Sequence, residues 1–163
     1  MSFFGPHGFN FEPGNWPVKL GLHSKLMSDI DGRFLGFSHL ARVSVRVAAL
    51  AALLAVTLGA FGAHALRPRF EADPRLADTY QTAVRYHFYH ALALVAVGVV
   101  AALWPSQLLS YAAWAFLGGL LLFSGSLYLL SLTGASWLGM VAPIGGLAYV
   151  AGWGLLAAAA LRG

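Results

Sequence analysis

The stretch TAVRYHFYHALAL, residues 82–94, places one arginine, two tyrosines and two histidines at the start of a long apolar run. An imidazole can move a proton or bind a metal, a guanidinium can hold an anion, and a phenol can donate a hydrogen bond. A further histidine ends an earlier apolar run, and two serines lie in a later one. The sequence therefore predicts a polar site formed by His64, Arg85, Tyr86, His90, Ser124 and Ser126.

Three interpretations of this site stay open. In the first, His64 and His90 hydrogen-bond each other, a serine or a backbone carbonyl, and so fix how two helices pack. In the second, three histidines and a carboxylate bind a metal, although no compact HxxxH or HExxH spacing is present. Its ligands would be His64, His87, His90 and either Asp73 or Asp78. In the third, the site is a pocket for a small ligand, a quinone or a lipid headgroup.

The composition indicates which solvent surrounds these residues. The chain has 163 residues, of which 59% are hydrophobic and 10% are charged, whereas about 25% charged residues is usual in soluble domains. Four apolar runs, at 43–66, 84–104, 107–131 and 138–161, are each long enough to cross ~30 Å of hydrocarbon as a helix. A segment in lipid must satisfy its own backbone hydrogen bonds. The predicted fold class is therefore all-α, an integral-membrane four-helix bundle with antiparallel up-down-up-down topology and both termini on one side.

The charged residues exclude several functions. All six carboxylates precede residue 79, and Arg162 is the only cation after Arg85, so the last two spans cannot contain the carboxylate relay of a proton-coupled pump. The sequence has no cysteine, no nucleophile–base pair, no phosphate-binding loop and no basic stripe. We therefore expect no enzymatic activity, no catalytic residue, no cofactor, no bound metal and no nucleic-acid partner.

Basic and small residues predict orientation and packing. Lys and Arg number six on the side that carries the termini and four on the other, which predicts cytoplasmic termini. On the opposite side, we expect Tyr80, Tyr86 and Tyr89 to form an aromatic belt. Small residues at four-residue intervals in the first span predict a helix contact. They are Ala51, Ala55, Gly59 and Ala63.

Four segments, GAFGAHAL (59–66), TAVRYHFYHALAL (82–94), FSGSLYLLSLTG (123–134) and PIGGLAYVAGW (143–153), carry a family resemblance. In this order they resemble the four-helix family that includes vertebrate transmembrane protein 256 and bacterial domain-of-unknown-function 423 proteins. The resemblance covers about residues 45–160. It implies a small multi-pass protein, usually of the bacterial inner membrane, without an established enzymatic activity. The matching positions are Gly59, Gly62, His64, Tyr86, His90, Ser124, Gly125, Ser126, Pro143, Gly145 and Gly146.

One residue and one segment depart from this family pattern. A glutamine-like residue is common in the family where this chain has His87, which weakens the metal hypothesis. Residues 1–42 have no counterpart in a typical member, so the predicted domains are this N-terminal extension and a four-span domain, 43–163. We expect the extension to contain a short interfacial helix after Ser24 and to bind a partner protein through exposed aromatic residues. These are Phe3, Phe4, Phe9, Phe11 and Trp16.

The function that these observations favour is a non-catalytic accessory or structural subunit in a larger membrane protein complex, for which a bioenergetic complex is one candidate. The extension and the small-residue helix faces would make the contacts. The alternative is a small transporter, or a membrane protein that binds a ligand, lipid or metal in a polar pocket around His64 and His90.

Overall fold

The computed structural model describes Lys25 and residues 39–162, and all structural statements refer to these residues. The predicted features of the N-terminal extension, including its five aromatic residues, therefore lie outside the described part of the chain. The α-helices of the four-span domain are α1 (His39–His64), α2 (Arg67–Ala72), α3 (Pro74–Leu103), α4 (Gln107–Gly119), α5 (Ser126–Thr133) and α6 (Ala142–Ala160). A π-helical segment, Leu120–Gly125, joins α4 to α5, and a 3-10 turn, Ser136–Met140, precedes α6.

Four helical stretches are long and apolar enough to cross a membrane. They are His39–His64, Pro74–Leu103, Gln107–Thr133 and Ser136–Ala160. The predicted all-α membrane fold is thus confirmed. We call the end of the bundle that holds His39 and Ala160 the termini side, and the end that holds α2 the loop side.

Capping residues and a glycine mark where several of these helices begin and end. The Asp73 carboxylate accepts a hydrogen bond from the Arg75 amide, and Pro74 follows it in the first turn, which is a favoured start for a helix. Ser106 accepts from the Leu108 amide in the same way and begins α4. Gly134 ends α5 with φ of 75°, a left-handed conformation in which a side chain is strained.

The first span packs along α3 in an antiparallel arrangement. Gly62 lies against the Tyr80 ring, and Gly98 lies against Val45. Of the predicted four-residue ridge, Ala55 is buried within the chain, whereas Ala63 is exposed. The buried positions instead repeat every seven residues, as expected when two helices pack with a 3.5-residue period. They are Ala41, Ala48, Ala55 and Gly62, and Ser44 is also buried, between the first two.

The same period organises α3, whose buried positions contact neighbours on both sides. They include Tyr80, Ala83, His87, His90, Leu94, Val97 and Ala101, at alternating intervals of three and four. His87 and His90 are therefore among the buried positions through which α3 contacts its neighbours, and we call this row of positions the seam. The prediction of an aromatic belt is wrong for Tyr80, which is 1% exposed and donates its hydroxyl to the Leu58 carbonyl at 2.8 Å.

Close backbone contact joins the third and fourth spans. Gly152 lies against the Phe116 ring, and Gly119 lies against Tyr149. Gly145 lies directly on the backbone of Phe123, inside the π-helical segment. Because α1 packs mainly on α3 while α3, α4, α5 and α6 pack on one another, the outward face of α1 stays uncovered within the described residues.

Candidate functional site

His90 is the centre of a hydrogen-bonded cluster between α3 and α6. Its Nδ1 lies 2.8 Å from the Tyr86 carbonyl oxygen, and its Nε2 lies 3.3 Å from Nε1 of Trp153. A carbonyl can only accept and an indole N–H can only donate. Nδ1 therefore carries the proton and Nε2 accepts, so both ring nitrogens of a neutral imidazole are satisfied.

Tyr149 continues this cluster into the third span. Its ring stacks on the His90 imidazole with a centroid distance of 3.3 Å and an interplanar angle of 8°. Its hydroxyl is paired with the Ser124 hydroxyl at 3.3 Å, and Ser124 is fully buried. Four residues from three spans, His90, Ser124, Tyr149 and Trp153, thus form one network, which we call the His90 network.

The π-helical segment explains why Ser124 faces this network. Four buried positions of α4 follow intervals of three and four, namely Leu109, Ala112, Phe116 and Gly119, and Ala113 is buried beside Ala112. The next buried residue is Ser124, five positions after Gly119. A π turn inserts one residue into an α-helix. It therefore turns Ser124 inward, where a regular helix would place Phe123, and lets the Phe123 backbone meet Gly145.

A second polar group, His87, lies in the core closer to the loop side. It is 1% exposed, and its Nδ1 is 3.4 Å from the Tyr128 hydroxyl. Its Nε2 has no hydrogen-bond partner among the described residues. Tyr128 packs edge-on against Tyr80, which in turn contacts Phe70 of α2. His87 therefore lies beneath an aromatic core that α2 covers.

The structure brings together only part of the predicted site. His90 and Ser124 belong to the His90 network, and the Tyr86 ring packs 4.7 Å from Phe123 and 6.4 Å from Tyr149. Ser126 is buried but donates to the Phe123 carbonyl within its own span.

His64 and Arg85 lie outside the cluster. Arg85 is exposed and donates to the Gln81 carbonyl of its own helix. His64 is exposed at the end of α1. Since Gly62 lies beside Tyr80, His64 is about three helical turns from the level of His90. Of the partners that the first interpretation offered to His90, His64 is thus excluded, whereas a backbone carbonyl, that of Tyr86, is hydrogen-bonded to it.

Sequence reasoning missed the partners of His90, namely Tyr149 and Trp153, and gave His87 no place in the polar site. The available signal was the seven-residue repeat through Tyr80, His87 and Leu94, which marks His87 as a seam position. Within the described residues, no group of three or more His, Asp or Glu side chains could hold a metal ion.

The unpartnered Nε2 of His87 leads to a stability prediction. Replacing both hydrogen-bond partners with apolar residues, as His87→Leu/Tyr128→Phe, should leave thermal stability in detergent equal to or above the wild-type value, because removing both members of a weak buried pair costs little. Tyr128→Phe alone should not raise stability, because it leaves His87 with neither nitrogen paired. A melting temperature of the double variant several degrees below wild type would contradict this assignment.

The four apolar spans and their buried seams define an α-helical multi-pass membrane protein. Residues 58–146 match a family model described as "Protein of unknown function (DUF423)". The chain belongs to this family, which confirms the family resemblance seen in the sequence. No solved structure matches the chain.

Bacterial membrane proteins are similar over most of the chain. The UPF0382 membrane protein YwdK of Bacillus subtilis is 41% identical over 122 residues, which cover 74% of this chain and 98% of the relative. UPF0382 membrane proteins of Staphylococcus haemolyticus and Staphylococcus saprophyticus are 37% and 36% identical over 115 residues, covering 71% of this chain and 92% and 93% of those relatives. The matched region is thus nearly the whole of each relative.

Proposed function

We propose that this protein is a non-catalytic accessory subunit that packs beside a larger membrane protein complex. The observation that carries the proposal is the closure of the His90 network. Its imidazole, indole and hydroxyl groups are hydrogen-bonded to one another or to the backbone. A polar network that is satisfied internally makes a bundle rigid and leaves few groups to hold a substrate.

The outward face of α1 supports the same proposal. Leu50, Leu53 and Val56 are between 60% and 67% exposed, and α1 packs mainly on α3. This surface is suited to a second apolar surface, either lipid or another membrane protein. The aromatic extension, predicted over residues 1–42, would add a further contact with the partner, although its last four residues belong to α1. We also propose that the protein lies in the bacterial inner membrane, as the family resemblance implies. Cytoplasmic termini are proposed because Lys and Arg are more numerous on that side.

The test is co-purification of the full chain from native membranes with a mild detergent. We expect a partner complex that is recovered in fixed stoichiometry and that recovers this chain when the partner itself carries the tag. A variant without residues 2–38 should keep its helical circular dichroism but lose the partner. If the full chain elutes alone even after cross-linking in intact membranes, the accessory role is wrong.

A ligand-binding or transport role is the second candidate, and the unpartnered Nε2 of the buried His87 favours it. The two roles give different results in liposomes. In a transporter, His87→Gln would change solute flux while the fold survives. In an accessory subunit, reconstituted protein gives no flux above empty liposomes, with or without this substitution.

A further inference from the structure

Two arginines on the termini side lie on the outward face of α1. Arg42 and Arg46 are four residues apart, so their side chains are neighbours on the helix surface. Both are exposed, whereas Ala41 and Ser44 beside them are buried against α3. Their guanidinium groups therefore point away from the bundle.

The chain offers these arginines no counter-charge in its described part. The salt bridge found there joins Arg67 to Glu71 on the loop side. The other described carboxylates, Asp73 and Asp78, also lie on the loop side, at the start of α3. Two adjacent positive charges that have no acidic neighbour among residues 39–162 attract an external anion.

The position of the pair along α1 places it at the lipid headgroups. The next Lys or Arg after Arg46 is Arg67, so the 20 residues 47–66 contain neither. Those of them that lie in α1, residues 47–64, span ~27 Å, close to the ~30 Å thickness of the hydrocarbon core. Arg46 and Arg67 thus mark the two membrane surfaces, and Arg42 lies one turn further toward the water.

Below the arginines, the same helix face is apolar. Leu50 follows Arg46 by four residues and Leu54 follows Leu50 by four, and they are 67% and 51% exposed. Charge at the headgroup level continues into a large apolar surface at the depth of the acyl chains. This combination fits a phospholipid, because a free phosphate would use only the charged part.

We propose that Arg42 and Arg46 bind the phosphate of an anionic phospholipid, whose acyl chain lies along Leu50 and Leu54. Guanidinium groups form paired hydrogen bonds with phosphate oxygens. A net negative headgroup is preferred over a zwitterionic one, because the quaternary ammonium group of choline in the latter is repelled by the two arginines. The site does not depend on the proposed accessory role.

The test is native mass spectrometry of the full chain in a neutral detergent, with added phosphatidylglycerol or phosphatidylcholine. Wild type should retain phosphatidylglycerol in preference to phosphatidylcholine, and this preference should fall with salt. Each arginine near a membrane surface is worth about fivefold in affinity, so Arg42→Gln/Arg46→Gln should lose most of the preference. Arg42→Lys/Arg46→Lys should keep part of it, because charge is retained but paired hydrogen bonding is lost.

The matched control removes two arginines from the loop side, as Arg75→Gln/Arg85→Gln. It should leave the lipid preference unchanged. If it lowers the preference as much as the termini-side variant does, the effect is general surface charge and the site is wrong. Equal retention of the two lipids by wild type, or a preference insensitive to salt, would also overturn the site without any variant.

Discussion

Gly145→Ala is expected to destabilise the bundle by about 1–3 kcal/mol. A Cβ atom at residue 145 would meet the Phe123 amide nitrogen and the Leu122 carbonyl carbon. These are backbone atoms of the π-helical segment, so no rotamer change can relieve the overlap. The third and fourth spans must separate, which also lengthens the Ser124–Tyr149 contact. The measurement is the thermal or SDS-induced loss of helicity in detergent.

The matched control for this substitution is Gly154→Ala in the same helix. No heavy atom lies within 4 Å of a Cβ at residue 154, and alanine is a better helix former than glycine by about 0.5–1 kcal/mol. Gly154→Ala should therefore be neutral or stabilising. If Gly145→Ala and Gly154→Ala lose helicity at the same temperature, the close contact between α6 and the π-helical segment is wrong.

His90→Ala is expected to cost about 3 kcal/mol, because it removes a stacked ring and also leaves the Trp153 indole N–H without an acceptor. His90→Phe keeps a ring against Tyr149 and should cost less, about 0.6–2 kcal/mol for the lost hydrogen bonds. Equilibrium unfolding in detergent gives both values. The Trp153 indole proton resonance in NMR should shift upfield in both variants, since its acceptor is gone.

A double-mutant cycle and one control make this prediction specific. Once Trp153→Phe has removed the donor, His90→Phe should cost less than it does alone, because the two changes delete the same hydrogen bond. His64→Ala, at an exposed histidine of the first span, should change stability by less than about 0.5 kcal/mol. A cost at His64 equal to that at His90 would contradict the different placements of the two side chains.

Much of the fold could be predicted from composition and local signals. Hydrocarbon thickness requires spans of about 20 apolar residues, and each predicted run corresponds to a helix. Three of these helices, which begin at His39, Pro74 and Ser136, start before the predicted runs do. Asp73 with Pro74 marks the start of α3 because carboxylate capping and a fixed φ act within one turn. Such signals do not depend on distant residues.

The site was predicted less well, because the partners of its residues come from other helices. His90 and Ser124 were found from their polarity, but residue types could not show that Tyr149 and Trp153 complete their hydrogen bonds. His64 lies at the end of the first apolar run and His90 near the start of the second, so the sequence predicts that both lie at the same membrane surface. The antiparallel register separates them, since the level of Gly62 is that of Tyr80.

The sequence alone determined that lipid surrounds the chain, that four helices span it and to which family the chain belongs, because span length, hydropathy and helix caps act locally. The tertiary structure alone decided which polar groups meet. One extra residue in the π-helical segment turns Ser124 inward, and the missing side chain of Gly145 lets two backbones touch. Both effects depend on the register between helices, which is set by close packing of side chains rather than by any single helix's own residues.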